Sequence, residues 1–424
     1  MIKVGITQGD PNGVGPEIII KALSPEGITE LMTPVIFANK GIILSTMQRL
    51  KGENFHFQGV NSAANAKPGK INLVNVGDQQ LTPDFGNATP EGGRSAYLAL
   101  EAAVQALEEG DIDVLVTAPI NKSAIQSEDF RFPGHTEYLE ARFAEEEEED
   151  AEDHAGEIGE TASPDDENGL DPEDASESSD PSELSDASES PNVIEPTATE
   201  DDKISSAPDT TIATAIPGEN RVGSGRKAQM ILFNDDLRVA LLTTHLPISE
   251  ISGYITEENI MDAVGRLDKT LRSDFACDRP RIAVLSLNPH AGDNGLLGSE
   301  EKEVMIPALR RLRENGVLAF GPYAADGFFG SGEWRKFDGV LAMYHDQGLA
   351  PFKTIAGQSG VNFTAGLEYV RTSPDHGTAY DIAGQMQADP TSMREAIYKA
   401  IDIYNARERY EEMSENPLKI KVKN

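Results

Sequence analysis

Short apolar runs alternate along the chain with longer segments of helical period, and polar residues gather where the apolar runs stop. Runs of four to seven residues read as strands at Ile2–Thr7, Val35–Ala38, Val114–Thr117, Arg238–Thr243, Arg281–Leu287 and Gly339–Met343. Between them, apolar residues recurring every three or four positions predict helices over Gly93–Glu109, Thr256–Arg272, Glu300–Asn315 and Thr391–Asn405. This alternation predicts an α/β fold. In parallel α/β sheets ligands bind beyond the carboxyl ends of the strands, so the residues that end each run are the first place to look for chemistry.

Those ends are rich in Gly, Pro, Asn, Asp and His. Ile2–Thr7 runs into Gln8-Gly-Asp-Pro-Asn-Gly-Val-Gly-Pro-Glu17, and Val114–Thr117 into Ala118-Pro-Ile-Asn-Lys122. Three other runs lead to histidines: Thr244-His245-Leu-Pro247, Asn288-Pro-His290-Ala-Gly292 and Tyr344-His345-Asp-Gln-Gly348. A lone histidine after a strand is more often a packed or capping residue than a ligand. Three at equivalent strand ends shift that balance, because imidazole suits zinc and other borderline divalent ions, and three ligands with one open position make a catalytic metal site. Asp346 could orient His345 or accept a proton. The competing reading is a metal-free general base beside structural histidines. Of the remaining histidines, His56 and His154 lie in polar stretches and read as incidental, while His135 and His376 sit in Gly-rich loops.

Lys353, Asn362 and Arg371 follow His345 closely and could hold a phosphate or carboxylate, although each taken singly is more often a surface residue. The turn Gly134-His135-Thr136-Glu137 could offer an imidazole and a hydroxyl to an anion, or simply start a helix. No G-x-G-x-x-G fingerprint follows the first strand. The loop Gly9–Glu17 comes nearest, opening a helix whose N-terminus could attract an anion.

Charge changes the picture in one place. The chain has 424 residues and a formal net charge of −36, and residues 145–224 alone hold 27 acidic and two basic side chains. With no Phe, Tyr or Trp, that stretch cannot bury enough apolar area to offset its ordering entropy and is expected to be a disordered insertion. The net charge excludes a polyanionic partner such as nucleic acid. A single cysteine, Cys277, allows no disulfide framework or Cys-based zinc site within the chain. There is no secretory leader pattern and no apolar run near the roughly 18–20 residues that span a bilayer, so the expectation is a cytoplasmic protein without a membrane partner.

Taken in order, Ile6-Thr-Gln-Gly-Asp-Pro-Asn-Gly-Val-Gly-Pro-Glu17, Gly134-His-Thr-Glu137, Thr243-Thr-His-Leu-Pro247, Asn288-Pro-His-Ala-Gly292, Tyr344-His-Asp-Gln-Gly-Leu349 and Arg371-Thr-Ser-Pro-Asp-His-Gly-Thr-Ala379 closely resemble the 4-hydroxythreonine-4-phosphate dehydrogenase family of vitamin B6 biosynthesis. The resemblance covers nearly all of 1–144 and 225–424. It implies a two-lobed isocitrate/isopropylmalate-dehydrogenase-like fold in which 1–144 and 225–424 form one catalytic unit, with the active site in the inter-lobe cleft. It also implies a homodimer whose metal site is completed across the interface. Carried over by position, it makes His245, His290 and His345 ligands to zinc, magnesium or cobalt, and makes His135, Thr136, Lys353, Asn362 and Arg371 substrate contacts. NAD is the implied cofactor, and Asp346 and Lys353 are the proton-transfer candidates. The implied reaction oxidises 4-(phosphooxy)-L-threonine and releases carbon dioxide to give 3-amino-2-oxopropyl phosphate. A sister activity on D-threonate or D-erythronate 4-phosphate shares these motifs. A lyase or hydrolase without NAD, or an acidic scaffold acting through 145–224, are readings from other classes. The acidic stretch is where this chain departs from the family pattern.

Overall fold

The structure is a computed structural model that describes residues 1–77, 81–143 and 227–415. The acidic insertion expected at 145–224 lies outside the described residues. Twelve described strands form one sheet. They are β1 (Lys3–Thr7), β2 (Thr33–Ala38), β3 (Phe57–Val60), β4 (Ile71–Asn75), β5 (Val114–Thr117), β6 (Gln229–Phe233), β7 (Arg238–Leu241), β8 (Arg281–Leu285), β9 (Leu318–Tyr323), β10 (Gly339–Ala342), β11 (Val361–Ala365) and β12 (Val370–Pro374). Their order is β3-β4-β2-β1-β5-β12-β11-β6-β7-β10-β8-β9. All six strands expected from the apolar runs form, and the α/β class is as expected.

The sheet is not parallel throughout. Strands β1 to β5 pair in parallel, as do β7, β10, β8 and β9, but β12/β11, β11/β6 and β6/β7 are antiparallel. Short hairpins set two of these pairs, β12/β11 and β6/β7, since antiparallel neighbours need only a tight turn whereas parallel ones need a crossover. In the β6–β7 turn, Asn234 Oδ1 accepts from the amides of Asp236 and Leu237. The β11–β12 turn starts at Gly366, at φ +87°. Three reversals leave the β7–β10–β8–β9 half running opposite to the β1–β5 half.

Helices cover the sheet where the periodicity placed them. The helix Pro90–Glu108 begins with Thr89 accepting from the Gly92 amide and Pro90 in its first turn, which satisfies an end donor at no cost in backbone hydrogen bonds. It buries Ala96, Leu100, Ala103, Val104 and Leu107 on one face. A Cβ at Gly93 would lie 1.8 Å from the Ala124 carbonyl oxygen. The missing side chain lets this helix press against the loop after β5 and fix it. The helix Glu257–Ser273 is capped by Thr256 and buries Ile260, Val264, Leu267 and Leu271. The helix expected over Glu300–Asn315 divides into a π turn, Glu301–Met305, and an α-helix, Ile306–Glu314. The last helix starts at Thr391 as expected and runs on to Glu415. Each large apolar side chain these faces bury contributes roughly 1.5–3 kcal/mol, so the scaffold around the strand ends is rigid.

Candidate active site

Side-chain staples hold the three histidine-bearing strand ends. Strands β7, β10 and β8 are parallel neighbours, so the loops carrying His245, His345 and His290 leave one edge of the sheet side by side. Thr243 Oγ1 donates to the Met343 carbonyl at 2.8 Å, joining the end of β7 to that of β10. Gln347 accepts from the Met343 amide at 2.7 Å and donates to the Ser286 carbonyl at 2.6 Å, joining β10 to β8. Buried Glu301 accepts from the Asn288 amide at 2.7 Å and side chain at 3.0 Å, anchoring the His290 loop. These bonds explain polar motif residues that have no chemistry of their own.

Within one chain the three imidazoles do not converge. Among the described residues no group of three or more His, Cys, Asp or Glu side chains is arranged to hold a metal ion. His345 opens the helix His345–Ala356, and its Nδ1 lies 2.7 Å from Asp346 Oδ1. His290 sits at φ 54° in a run where Ala291, Asp293 and Asn294 are also left-handed. Each such non-glycine residue costs about 1–2 kcal/mol, and strain of this kind persists only where surroundings enforce it. Large apolar side chains stand exposed on these loops: Ile248 at 84 %, Leu296 at 79 % and Leu297 at 44 %.

His245 is held from the opposite half of the sheet. The helix at 135–143 places Glu137 Oε1 2.9 Å from His245 Nδ1, and the loop after β5 places Lys122 Nζ 3.1 Å from His245 Nε2. Burial would raise the Glu137 carboxyl, but the hydrogen bond from His245, a backbone hydrogen bond and the positive charge of Lys122 outweigh it and hold the group below the usual range. An ionised carboxylate only accepts, so Nδ1 carries the proton and Nε2 presents its lone pair. A carboxylate on one ring nitrogen with the other left as a lone pair is how ligating histidines are oriented. His245 with Glu137, and His345 with Asp346, both fit that pattern.

The substrate contacts expected from the motifs fall into two groups. Arg371 on β12 is 3 % exposed and reaches only hydroxyls: Nε and Nη2 donate to Thr117 Oγ1 at 3.1 and 2.6 Å, and Nη1 donates to Thr364 Oγ1 at 3.0 Å. No carboxylate bonds it among the described residues. Burial pushes it down to about 10, against the more distant pull of Glu137, and at neutral pH it stays a cation. Thr136 Oγ1 stands 3.5 Å from Thr364 Oγ1. The His135 imidazole is held well below its usual range by burial and by the positive Arg371 and Lys122, so it is neutral. Its buried Nε2 has no hydrogen-bond partner among the described residues, and neither does Asn362 Oδ1. Asn362 and Thr364 share a face of β11, and Thr364 pairs with Arg371. His135, Thr136, Asn362 and Arg371 therefore line one recess around a buried, uncompensated cation. Unpartnered buried polar groups are costly: an anionic ligand would accept from Arg371 and from His135 protonated at Nε2, while Asn362 Oδ1 calls for a donor such as a ligand hydroxyl or amine.

Lys353 stands apart from this recess. It is exposed on the helix His345–Ala356 and donates to the Asp375 carbonyl at 2.8 Å. The Gly9–Glu17 loop also departs from its expected role. It is buried throughout, and its amides at Asp10, Asn12, Gly13 and Val14 bond to Pro119 O, Asp10 Oδ1, Asp10 O and Thr378 O. Those four donors are spent on packing. Lys122, Glu137, Thr117 and Thr364 are site residues that motif reasoning passed over. Lys122 and Glu137 close two of the quoted segments, but a charged loop residue reads as solvated until its partner across the fold is known.

Comparison with known proteins gives a consistent result. The family model described as pyridoxal phosphate biosynthetic protein PdxA matches residues 30–150 and 218–400, and its gap falls within the acidic stretch. A 4-hydroxythreonine-4-phosphate dehydrogenase of Bacteroides thetaiotaomicron is 42 % identical over 418 residues, 99 % of this chain and 93 % of its own. A protein of Oceanobacillus iheyensis named for D-threonate 4-phosphate dehydrogenation is 30 % identical over 404 residues, 94 % of this chain and 97 % of its own. The crystal structure of 4-hydroxythreonine-4-phosphate dehydrogenase from Klebsiella pneumoniae superposes with a TM-score of 0.66 at 28 % identity, covering 95 % of this chain and 100 % of that one.

Proposed function

Because the chain belongs to the PdxA family of pyridoxal phosphate biosynthetic proteins, we propose that it oxidises the C3 hydroxyl of 4-(phosphooxy)-L-threonine and releases carbon dioxide, leaving 3-amino-2-oxopropyl phosphate. The carrying observation is the buried Arg371 guanidinium, bonded among the described residues to the Thr117 and Thr364 hydroxyls alone, beside His135 Nε2 and Asn362 Oδ1, which have no partner among them. A substrate phosphate entering this recess gives Arg371 its counter-charge and accepts from Thr136 and from neutral His135 protonated at Nε2, while a hydroxyl or amine of the same substrate donates to Asn362 Oδ1. Burial strengthens each of these contacts relative to water.

His245, His290 and His345 fit a divalent ion of the zinc, magnesium or cobalt kind, because two of the three rings already have Nδ1 against a carboxylate. The third ligand is reached in a homodimer, with the exposed Ile248, Leu296 and Leu297 beside the histidine loops at the interface. When bound, the metal supplies Lewis-acid stabilisation of negative charge on oxygen, and NAD is the hydride acceptor of the reaction class. The Gly9–Glu17 loop does not fit as the seat of the dinucleotide, and no step is assigned to that loop. Asp346 is engaged in orienting His345, which leaves Lys353, tied to a backbone carbonyl, as the proton-transfer group. No described helix is long and apolar enough to cross a membrane, and the cytoplasm is the proposed location.

The second reading, oxidation of D-threonate or D-erythronate 4-phosphate, rests on the likeness to the Oceanobacillus iheyensis protein. The same recess would hold the same phosphate, so the two readings differ at C2, where one substrate has an amine and the other a hydroxyl. Formation of reduced nicotinamide should be at least about tenfold faster, in kcat/KM, with 4-(phosphooxy)-L-threonine than with either sugar-acid phosphate. The reverse order would transfer the assignment to the second reading. Absence of NAD-dependent turnover of any of these substrates would exclude both.

A further inference from the structure

Lys122 is the residue of this site that the reading above leaves without a task. Its backbone is fixed: Asn121 Oδ1 accepts from the amides of Ser123 and Ala124 at 3.0 and 2.9 Å, and Gln126 Nε2 donates to the Lys122 carbonyl at 3.1 Å. Its side chain is exposed and free to swing. Lys122 passes beside Gly134, where a Cβ would stand in ordinary contact 3.7 Å from Lys122 Cε, and reaches His245. There the ammonium stands 3.1 Å from Nε2. A lysine ammonium has donors and no acceptor, so Nε2 is the acceptor in this contact, and its single lone pair is the one that would ligate a metal.

We propose that Lys122 is a placeholder cation, occupying the metal-binding nitrogen of His245 until a divalent ion displaces it. The inference rests on the histidine metal site proposed above and adds a competitor built into the chain. One lone pair serves one partner, so the ammonium and the metal exclude each other at Nε2. Two positive charges so close also repel, so metal entry drives the flexible lysine away while its anchored backbone stays. Glu137, on the other side of the ring, acts in the opposite sense. It holds the ring so that Nε2 faces the incoming ion whichever cation is present.

The two neighbours of one imidazole should therefore shift metal affinity in opposite directions. Isothermal titration of the metal-stripped full-length protein with Zn2+ alone reads this without turnover. Lys122→Met keeps the unbranched apolar stem and removes the ammonium, and should bind Zn2+ roughly tenfold more tightly than the unaltered chain, from the loss of one exposed charge-assisted hydrogen bond. Glu137→Gln should bind roughly tenfold more weakly. A Lys122→Met protein that binds Zn2+ no more tightly than the unaltered chain overturns the proposal. Should that variant fail to fold, acetylation of the unaltered protein mapped by mass spectrometry decides: Zn2+ should speed modification of Lys122, and an unchanged rate overturns the proposal. If the unaltered protein takes up no Zn2+ at all, the metal site falls and the placeholder with it. Zn2+ uptake without tightening in Lys122→Met removes only the placeholder.

Discussion

Replacing Arg371 with methionine is expected to lower kcat/KM on the phosphorylated substrate by roughly a hundred- to a thousandfold while leaving the folded protein at least as stable. The two effects have one cause. Arg371 is buried on β12 with two threonine hydroxyls and, among the described residues, no bonded carboxylate, so it carries a desolvation cost that these partners do not offset. Methionine fills similar space without that cost, and the Tm of the substrate-free variant should hold or rise. The bound phosphate, in contrast, loses a buried charged partner, a loss of about 3–4 kcal/mol in transition-state binding. Steady-state kinetics beside a thermal melt checks both halves. A large fall in Tm with kcat/KM little changed would make Arg371 a structural residue and empty the recess of its purpose.

The second large effect concerns the strand-end histidines. Removing the divalent ion with a chelator, or replacing His345 with alanine, should reduce formation of reduced nicotinamide by about a thousandfold or more, since charge stabilisation by a bound cation is worth several kcal/mol. Added Zn2+, Mg2+ or Co2+ should restore the chelated enzyme and not the variant. Asp346→Asn should cost less, roughly ten- to a hundredfold, because Asp346 bonds His345 Nδ1 and would act on the ion only through that ring. Undiminished turnover in fully demetallated protein would instead support the metal-free reading of the same histidines.

Much of this was legible in the residues, and what was not has identifiable reasons. The strands ending at Thr7, Ala38 and Thr117 and those preceding the three histidines are continuous apolar runs, which a strand buried on both faces requires. That three such runs end in histidine foretold the shared sheet edge. The strands β11 and β12 escaped because Val361-Asn-Phe-Thr-Ala and Val370-Arg-Thr-Ser-Pro carry polar residues that are turned inward: Asn362, Thr364 and Arg371 face the recess, and Thr372 bonds the Ala396 carbonyl of the last helix. Arg371 looked like a surface residue for the same reason. The burial of the Gly9–Glu17 loop was not legible either: Gly13 packs against Thr378, and the Val14 amide bonds the Thr378 carbonyl. The pairing of Lys122 and Glu137 with His245 joins segments more than a hundred residues apart, so no local pattern could show it.

The central claim is that the recess around Arg371 and the edge carrying His245 hold one phosphorylated substrate between them. A crystal structure of the full chain with Zn2+ and 4-(phosphooxy)-L-threonine, without NAD so that no hydride acceptor is present, tests it most directly. The account predicts the phosphate within hydrogen-bond distance of the Arg371 guanidinium and His135 Nε2, and an anomalous zinc peak on His245 Nε2 with Lys122 withdrawn. A phosphate bound elsewhere, with the recess around Arg371 still empty, would contradict it.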